Sequence, residues 1–408
     1  EICACLVGSE MCIRDRVDIN WPLEEIASDQ FQIAGGWGGG TFVGSVGVTL
    51  NNLSIKNFFK KGAWRPYPMG QNQRLSISAQ TNGTYYKAFA ISFTDPWMGG
   101  RKPNSFTISA HYSDENNAYY AWQKGTRYFR TAGVAAGLGK RLDWPDPYFT
   151  FYAEASYERY MLKDWNTFVL KNGAANLLSI RLVLGRNSVD QPIYPRRGSD
   201  FSVSVQLTPP YSLWDGKDYK STALSEQERY NWIEFHKWML KGQWFTPLTR
   251  NGNLVLMARA EMGYLGHYNK NKVSPFERFE VGGDGMTGYN MYGIDIISMR
   301  GYDDGALDPV GSNYSCAYNK YTMELRYPLL LKGQTNIYVL GFLEGGNGFT
   351  SWKEFSPFKI KRSAGIGVRL FLPVVGMVGV DWGWGFDPAA GQTKRSGSHI
   401  HFTMGMQF

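Results

Sequence analysis

A chain of 408 residues with a net charge of +8, 15% aromatic side chains and 47 glycines could hold several soluble domains or one large barrel. Its mean hydropathy is −0.34, and no apolar run approaches the ~18–20 residues of a spanning helix, which excludes a helical membrane protein. Lys and Arg are scattered with no basic run that could track phosphates, which argues against a nucleic-acid partner.

The first sixteen residues stand apart. They hold Cys3, Cys5 and Cys12, whereas the fourth cysteine, Cys316, is alone, so neither a disulfide framework nor a metal pair results. The string from Cys5 to Arg16 resembles translated sequencing-adapter read-through, and it lacks the order of a signal peptide. Residues 1–16 are therefore expected to be non-native. Residues 17–28, with Trp21-Pro22, read as a short linker, and 29–408 as one domain.

From Asp29 onward the pattern is alternation. Phe31, Ile33, Gly35 and Trp37 alternate with Gln30, Gln32, Ala34 and Gly36; Leu75, Ile77 and Ala79 with Ser76, Ser78 and Gln80; Phe106, Ile108, Ala110 and Tyr112 with Thr107, Ser109 and His111. Successive side chains of a strand point to opposite faces, so each segment has one apolar and one small or polar face. The pattern continues in 200–208 and in Leu254–Gly263, where Arg259 and Glu261 fall inside an otherwise apolar strand. Two such charges suit a hydrated lumen better than lipid. Strands are predicted at 30–38, 41–50, 73–81, 85–94, 105–113, 126–139, 148–160, 177–186, 200–208, 232–246, 253–265, 319–328, 335–344, 361–372, 376–386 and 398–408. The fold class is all-β, a transmembrane antiparallel barrel of about sixteen strands. A secreted all-β protein is the alternative that composition alone leaves open.

Asn82-Gly83 and Asn251-Gly252 read as tight hairpin turns, whereas 266–318 is far too long for one. Short turns on one side and long loops on the other are expected of such a barrel. Trp64, Tyr67, Trp97, Trp122, Trp144, Tyr148, Trp244 and Trp352 fall near strand ends, where an aromatic girdle would sit.

The long loop reads Phe276-Glu-Arg-Phe-Glu-Val-Gly282-Gly283-Asp284 and then Ile297-Ser-Met299-Arg300-Gly301-Tyr302. With this pair of motifs the chain resembles the BamA family of outer-membrane barrel-assembly insertases, its Bacteroidetes-type members above all. Met299 stands where the family prefers a β-branched residue. The resemblance implies a loop folded back into the lumen, with Arg300 anchored by carboxylates on the two following strands; Glu324 and Glu344 match these, the latter replacing Asp. An arginine fork can hold such a loop by charge-assisted bonds, offsetting the entropy of pinning it. Asn187–Gly198, with Asp190, Pro192, Tyr194 and Pro195, resembles the family's mid-barrel turn, with Gln191 for the usual Asn. The chain ends on Phe402-Thr-Met404-Gly405-Met406-Gln-Phe408, which matches the family's terminal strand signal. The resemblance covers 17–408 and only the barrel; periplasmic POTRA domains would precede Trp21.

Catalytic motifs are absent: there is no His-Glu-x-x-His, no P-loop and no G-x-S-x-G. His399 and His401 share a face and read as lumen-facing polar side chains rather than a metal pair, and Asp284, Asp303 and Asp304 as a solvated loop rather than a calcium site. No cofactor, metal or enzymatic activity is expected. The resemblance implies an outer-membrane insertase with a lateral seam between the first strand, at Gln30, Phe31, Gln32 and Ile33, and the last. Gly35, Gly36, Gly38, Gly39 and Gly40 would weaken that first strand. Implied partners are the outer-membrane bilayer, nascent barrel proteins and, through the POTRA domains, accessory lipoproteins. A two-partner secretion or translocation-module transporter is the alternative on the same architecture, and a barrel enzyme a third reading.

Overall fold

The computed structural model describes residues 30–38, 41–64, 67–100, 103–118, 125–221, 223–285, 294–311, 314–332, 335–372 and 376–404. Segments 1–16 and 17–28, Gly39, Gly40 and Trp122, and Gly405, Met406 and Phe408 of the terminal motif, lie outside the described residues.

Among the described residues sixteen strands form one antiparallel sheet in which neighbours in the order pair. They are β1 (Gln30–Gly38), β2 (Thr41–Leu53), β3 (Gln73–Thr81), β4 (Tyr86–Asp95), β5 (Asn104–Asn116), β6 (Tyr128–Arg141), β7 (Phe149–Lys163), β8 (Gly173–Asn187), β9 (Gly198–Leu207), β10 (His236–Pro247) and β11 (Val255–Gly266). After the long loop come β14 (Ala317–Lys332), β15 (Thr335–Phe349), β16 (Lys361–Leu372), β17 (Gly376–Pro388) and β18 (Arg395–Met404). The loop holds its own parallel pair, β12 (Phe279–Val281) and β13 (Asp295–Ile297). The sheet curls until Cα atoms of β1 and β18 lie within 8 Å, yet among the described residues no ladder joins them.

Several strands outrun their alternation. β8 begins at Gly173 and β15 runs on to Phe349 through Gly345, Gly346, Asn347 and Gly348. Such stretches have no apolar–polar contrast, but a ladder needs only backbone groups. The expected strand at 232–246 is corrected in the other direction: it starts at His236. Trp232 forms only an isolated bridge to Asn176, and Ile233 N donates to Asn176 O at 2.8 Å. Ile233, Glu234 and Phe235 are buried together, so consecutive side chains pack inward instead of alternating. A five-residue helix, α1 (Glu226–Tyr230), precedes them, capped by Ser225 with Glu228.

The wall is apolar outside and charged inside. On β14, Met323 and Leu325 are exposed while Thr322, Glu324 and Arg326 are buried; on β17, Val380, Trp382 and Trp384 are exposed and Asp381 is buried. Arg259 and Glu261 both face inward, 3.6 Å apart. A soluble sandwich buries its apolar face; this outer wall is stable only against hydrocarbon.

The connections are sorted by length only in part: the longest, 208–235 and 267–316, share one end, and 333–334 and 373–375 the other. In an up-and-down barrel they alternate between the two ends, which puts 82–85 beside the long loop and 248–254 at the other end, together with the long segment 54–72. Neither Asn-Gly pair makes a two-residue turn. Asn82 Oδ1 accepts from Thr84 N and Tyr86 N, and Asn251 Oδ1 from Asn253 N, so both widen into side-chain-stapled loops. In the turn between β8 and β9, Asp190 Oδ1 accepts from Arg196 N and Arg197 N. Gly198, at φ +105°, has no room for a Cβ, which would lie 2.3 Å from Ser188 O. Tyr194 swings inward, its hydroxyl 2.8 Å from Asn253 O and 3.0 Å from Arg326 O.

The orientation of the wall can be tested at Ile366, exposed in the middle of β16. Ile366→Arg is expected to destabilise the barrel by about 2–4 kcal/mol in lipid vesicles, measured by denaturant unfolding. A neutral result would mean that this face does not meet hydrocarbon.

Candidate functional site

The loop between β11 and β14 turns back into the lumen. Val281 and Ile297 pair in the β12–β13 ribbon, and Gly282 and Gly283 then carry the chain into positive φ. A Cβ on Gly282 would lie 2.3 Å from the backbone Asp303 O, so only glycine fits there under the Arg300 turn, and one on Gly283 would displace the Asp304 carboxylate. Gly283 O accepts from Met299 N, and Gly283 N donates to Tyr302 O. Phe276, Phe279, Met299 and Tyr302 are fully buried, packing the loop against inward side chains such as Phe129, Tyr160 and Tyr318.

Arg300 is brought to both of its sequence-matched acids. Its Nη2 lies 2.7 Å from Glu324 Oε1 on β14 and 2.7 Å from Glu344 Oε1 on β15; Nε reaches Glu344 Oε1 at 3.1 Å, and the backbone N donates to Glu344 Oε2 at 2.9 Å. The guanidinium lies 3.8 Å above the Phe342 ring. Burial opposes its charge, but the carboxylates of Glu344, Glu324 and Asp381 outweigh that and hold the group further above its ordinary pKa.

The acids have further partners that the sequence reading did not assign. Arg326 Nη2 is 2.6 Å from Glu324 Oε2, Lys320 Nζ 3.8 Å from Glu344, and Arg369 grips Asp381 through two bonds of 2.8 and 2.7 Å. Asp381 Oδ2 also lies 3.7 Å from Arg300 Nη1. A buried charge network is stable only when every member is paired. Here three strands supply the acids and four cations answer them. The strand parity of Arg326, Arg369 and Asp381 could have placed them inward, but only tertiary structure makes them neighbours.

Beyond Arg300, Gly301 N donates to His401 Nε2 on β18 at 2.8 Å, and Tyr302 Oη donates to Arg362 O on β16 at 2.8 Å. Of the terminal motif, Phe402 is exposed on the outer wall and Met404 closes the described part of β18. Gln30, Phe31, Gln32 and Ile33 lie in β1, paired with Thr49, Val48, Gly47 and Val46 of β2.

A second anchor escaped the sequence reading. Lys237 of β10 lies 2.5 Å from Asp295 and 3.4 Å from Glu277, both on the loop, and Tyr160 Oη donates to Glu277 at 3.1 Å. Glu277 takes φ +64°, an uncommon conformation for a non-glycine residue. Below it a polar cavity of about 350 Å³ occupies the lumen, lined by Ser109, His111, Glu154, Glu158 and Arg181 among others.

Residues 69–408 match the Omp85 superfamily domain. The chain is 23% identical over 334 residues to the outer membrane protein assembly factor BamA of Neisseria meningitidis serogroup B, a match that covers 77% of this chain and 34% of that protein. The chain thus spans about a third of that relative's length. In fold it is similar to BamA from Haemophilus ducreyi lacking POTRA domains 1–3, with a TM-score of 0.62 at 17% identity over 92% of this chain and 68% of that one. CdiB from Escherichia coli gives a TM-score of 0.57 at 12% identity, over 93% and 62%.

Two outcomes are expected of this site. Arg300→Ala leaves Glu324 and Glu344 short of a cation and should cost about 3–5 kcal/mol of loop anchoring, read as new protease cleavage within 276–310; Arg300→Lys, lacking the fork, should not restore protection. Unchanged cleavage in the alanine variant would remove the clamp. Asp308 lies in the same loop, its Oδ1 accepting from Val281 N and Ser315 Oγ and its Oδ2 without a hydrogen-bond partner among the described residues. Burial, with repulsion from Glu280, pushes its pKa up to about 8. The folded protein then binds this proton more tightly than the unfolded chain, so stability falls as pH rises from the ordinary carboxyl value toward 8. Loop protection should be stronger at pH 6 than at pH 9, and Asp308→Asn should flatten the difference.

Proposed function

Since the chain belongs to the Omp85 superfamily, we propose that it is the membrane domain of a non-enzymatic insertase that folds barrel proteins into the outer membrane through a seam between β1 and β18. The chain is an outer-membrane β-barrel, as its family and its BamA relative are. The observation that carries the finer reading is the edge: β1 and β18 lie side by side without a ladder among the described residues, whereas every other neighbouring pair in the sheet is hydrogen-bonded. Edges left without a ladder among the described residues would offer backbone donors and acceptors to an incoming strand by β-augmentation. Gly35 faces Gly44 across the β1–β2 ladder, so that pair gains no side-chain packing. The Arg300 network sits against β14 and β15 and bears on β17, bracing the wall up to the seam.

Partners on this reading are nascent barrel proteins, the bilayer and, through POTRA domains, accessory lipoproteins. Secretion transport is the second reading, favoured by the likeness of fold to CdiB. A cysteine pair joining one of positions 30–33 to one of 398–404 tests the first. Oxidation should abolish insertion of client barrels into vesicles and reduction should restore it. Full insertion by the oxidised protein would rule out the seam.

A further inference from the structure

We propose that His401 is a positioning residue that couples the Arg300 loop to the terminal strand, holding β18 in the wall from the lumen side. The proposal rests on the seam reading and adds to it what restrains the seam. Among the described residues β18 is hydrogen-bonded to a neighbour on one side only, through β17. Among the described residues the other edge of β18 makes no ladder, so a contact from inside the lumen adds to its hold. The loop supplies it.

Gly301 N donates to His401 Nε2 at 2.8 Å in a buried setting. This bond requires an unprotonated Nε2, with any ring proton on Nδ1. The approach is possible because β17 carries no side chain where the loop crosses it. A Cβ on Gly383 would lie 2.7 Å from Gly301 N, and one on Gly385 would lie 2.4 Å from Gly301 O. Backbone therefore rests on backbone, which places the Gly301 amide within reach of the next strand. Two residues along β18, His399 Nδ1 lies 3.1 Å from Asp303 Oδ1, and the two imidazoles stack at 6.1 Å and 17°. Two inward side chains of β18 thus touch the loop on either side of Tyr302.

A consequence follows for strand exchange. A client strand that draws β18 out of line must break the Gly301–His401 bond, and a loop that leaves the lumen must release β18. Loop release and seam opening are thereby coupled, with Arg300 as the anchor and His401 as the link.

The test reads the seam and the loop directly, so it is independent of whether the natural task is insertion or secretion. Spin labels at Val46→Cys on β2 and Ile400→Cys on β18, both exposed on the outer wall, report the seam in lipid vesicles. The native cysteines are replaced by serine. Hydrogen exchange reports β18, and heat-modifiable gel migration reports folding. His401→Leu, which keeps bulk but removes the acceptor, should broaden the distance distribution and raise β18 exchange roughly fivefold to tenfold, the factor of one buried hydrogen bond. The loop should stay protected, because Arg300 is intact. His401→Gln restores an acceptor and should return both readouts toward wild type. Equal behaviour of the Leu and Gln variants, or a folded Leu variant with an unchanged seam, would overturn the proposal. If the Leu variant does not fold, Arg300→Ala with native His401 decides: β18 exchange should rise as the loop is released, and a released loop with unchanged β18 exchange would refute the coupling.

Discussion

One buried charge depends on everything around it, and much of the lumen depends on it in return. Arg300 is carried by a loop of some fifty residues, yet its guanidinium lies within 2.7 Å of carboxylates on two different strands. A cation in that position is tolerable only because Glu324 and Glu344 accept from it, and those acids are tolerable only because Arg300, Arg326 and Lys320 answer them. Removing any one member strands the others. The network is therefore a specifying device more than a source of net stability: it admits one position of the loop and penalises its neighbours.

The rest of the loop follows from that constraint. Gly282 and Gly283 provide the tight turn beneath the arginine, where a side chain would collide with Asp303 and Asp304. Lys237 ties the two arms of the loop together through Glu277 and Asp295, and Glu277 sits at φ +64° beside it. Gly383 and Gly385 give the loop a bare stretch of β17 to lie on. Aromatic packing around Phe276 and Phe279, above the polar cavity, gives the barrel at this end an interior like a soluble core. The wall does the reverse, presenting Ile366, Val368, Val380 and Phe402 outward.

Much of this was legible in the chain. Alternation has a period of two, and parity alone put Glu324 opposite Met323 and Leu325; the exposures, 5% against 49% and 43%, follow that parity. It failed where contrast is missing, as in the glycine run after Glu344, and where a loop packs consecutive residues inward, as at Ile233–Phe235. The Asn-Gly pairs illustrate another limit. A dipeptide favours a turn, but Asn82 and Asn251 spend their side chains on amides further along, and the connections widen.

By itself the sequence determined the class of wall, the number of its strands and the facing of side chains wherever apolar and polar residues alternate, because those follow from local alternation in a strand. It also placed Arg300 and its two acids in a common motif set through family resemblance. Tertiary structure decided which inward charges meet: that Arg369 takes Asp381, that Lys237 holds Glu277 and Asp295, and that His401, which reads as an ordinary lumen side chain, accepts from Gly301. The reason is geometric. Parity fixes the direction of a side chain, but its neighbours depend on strand stagger and on the path of a fifty-residue loop, and neither leaves a local trace in the chain.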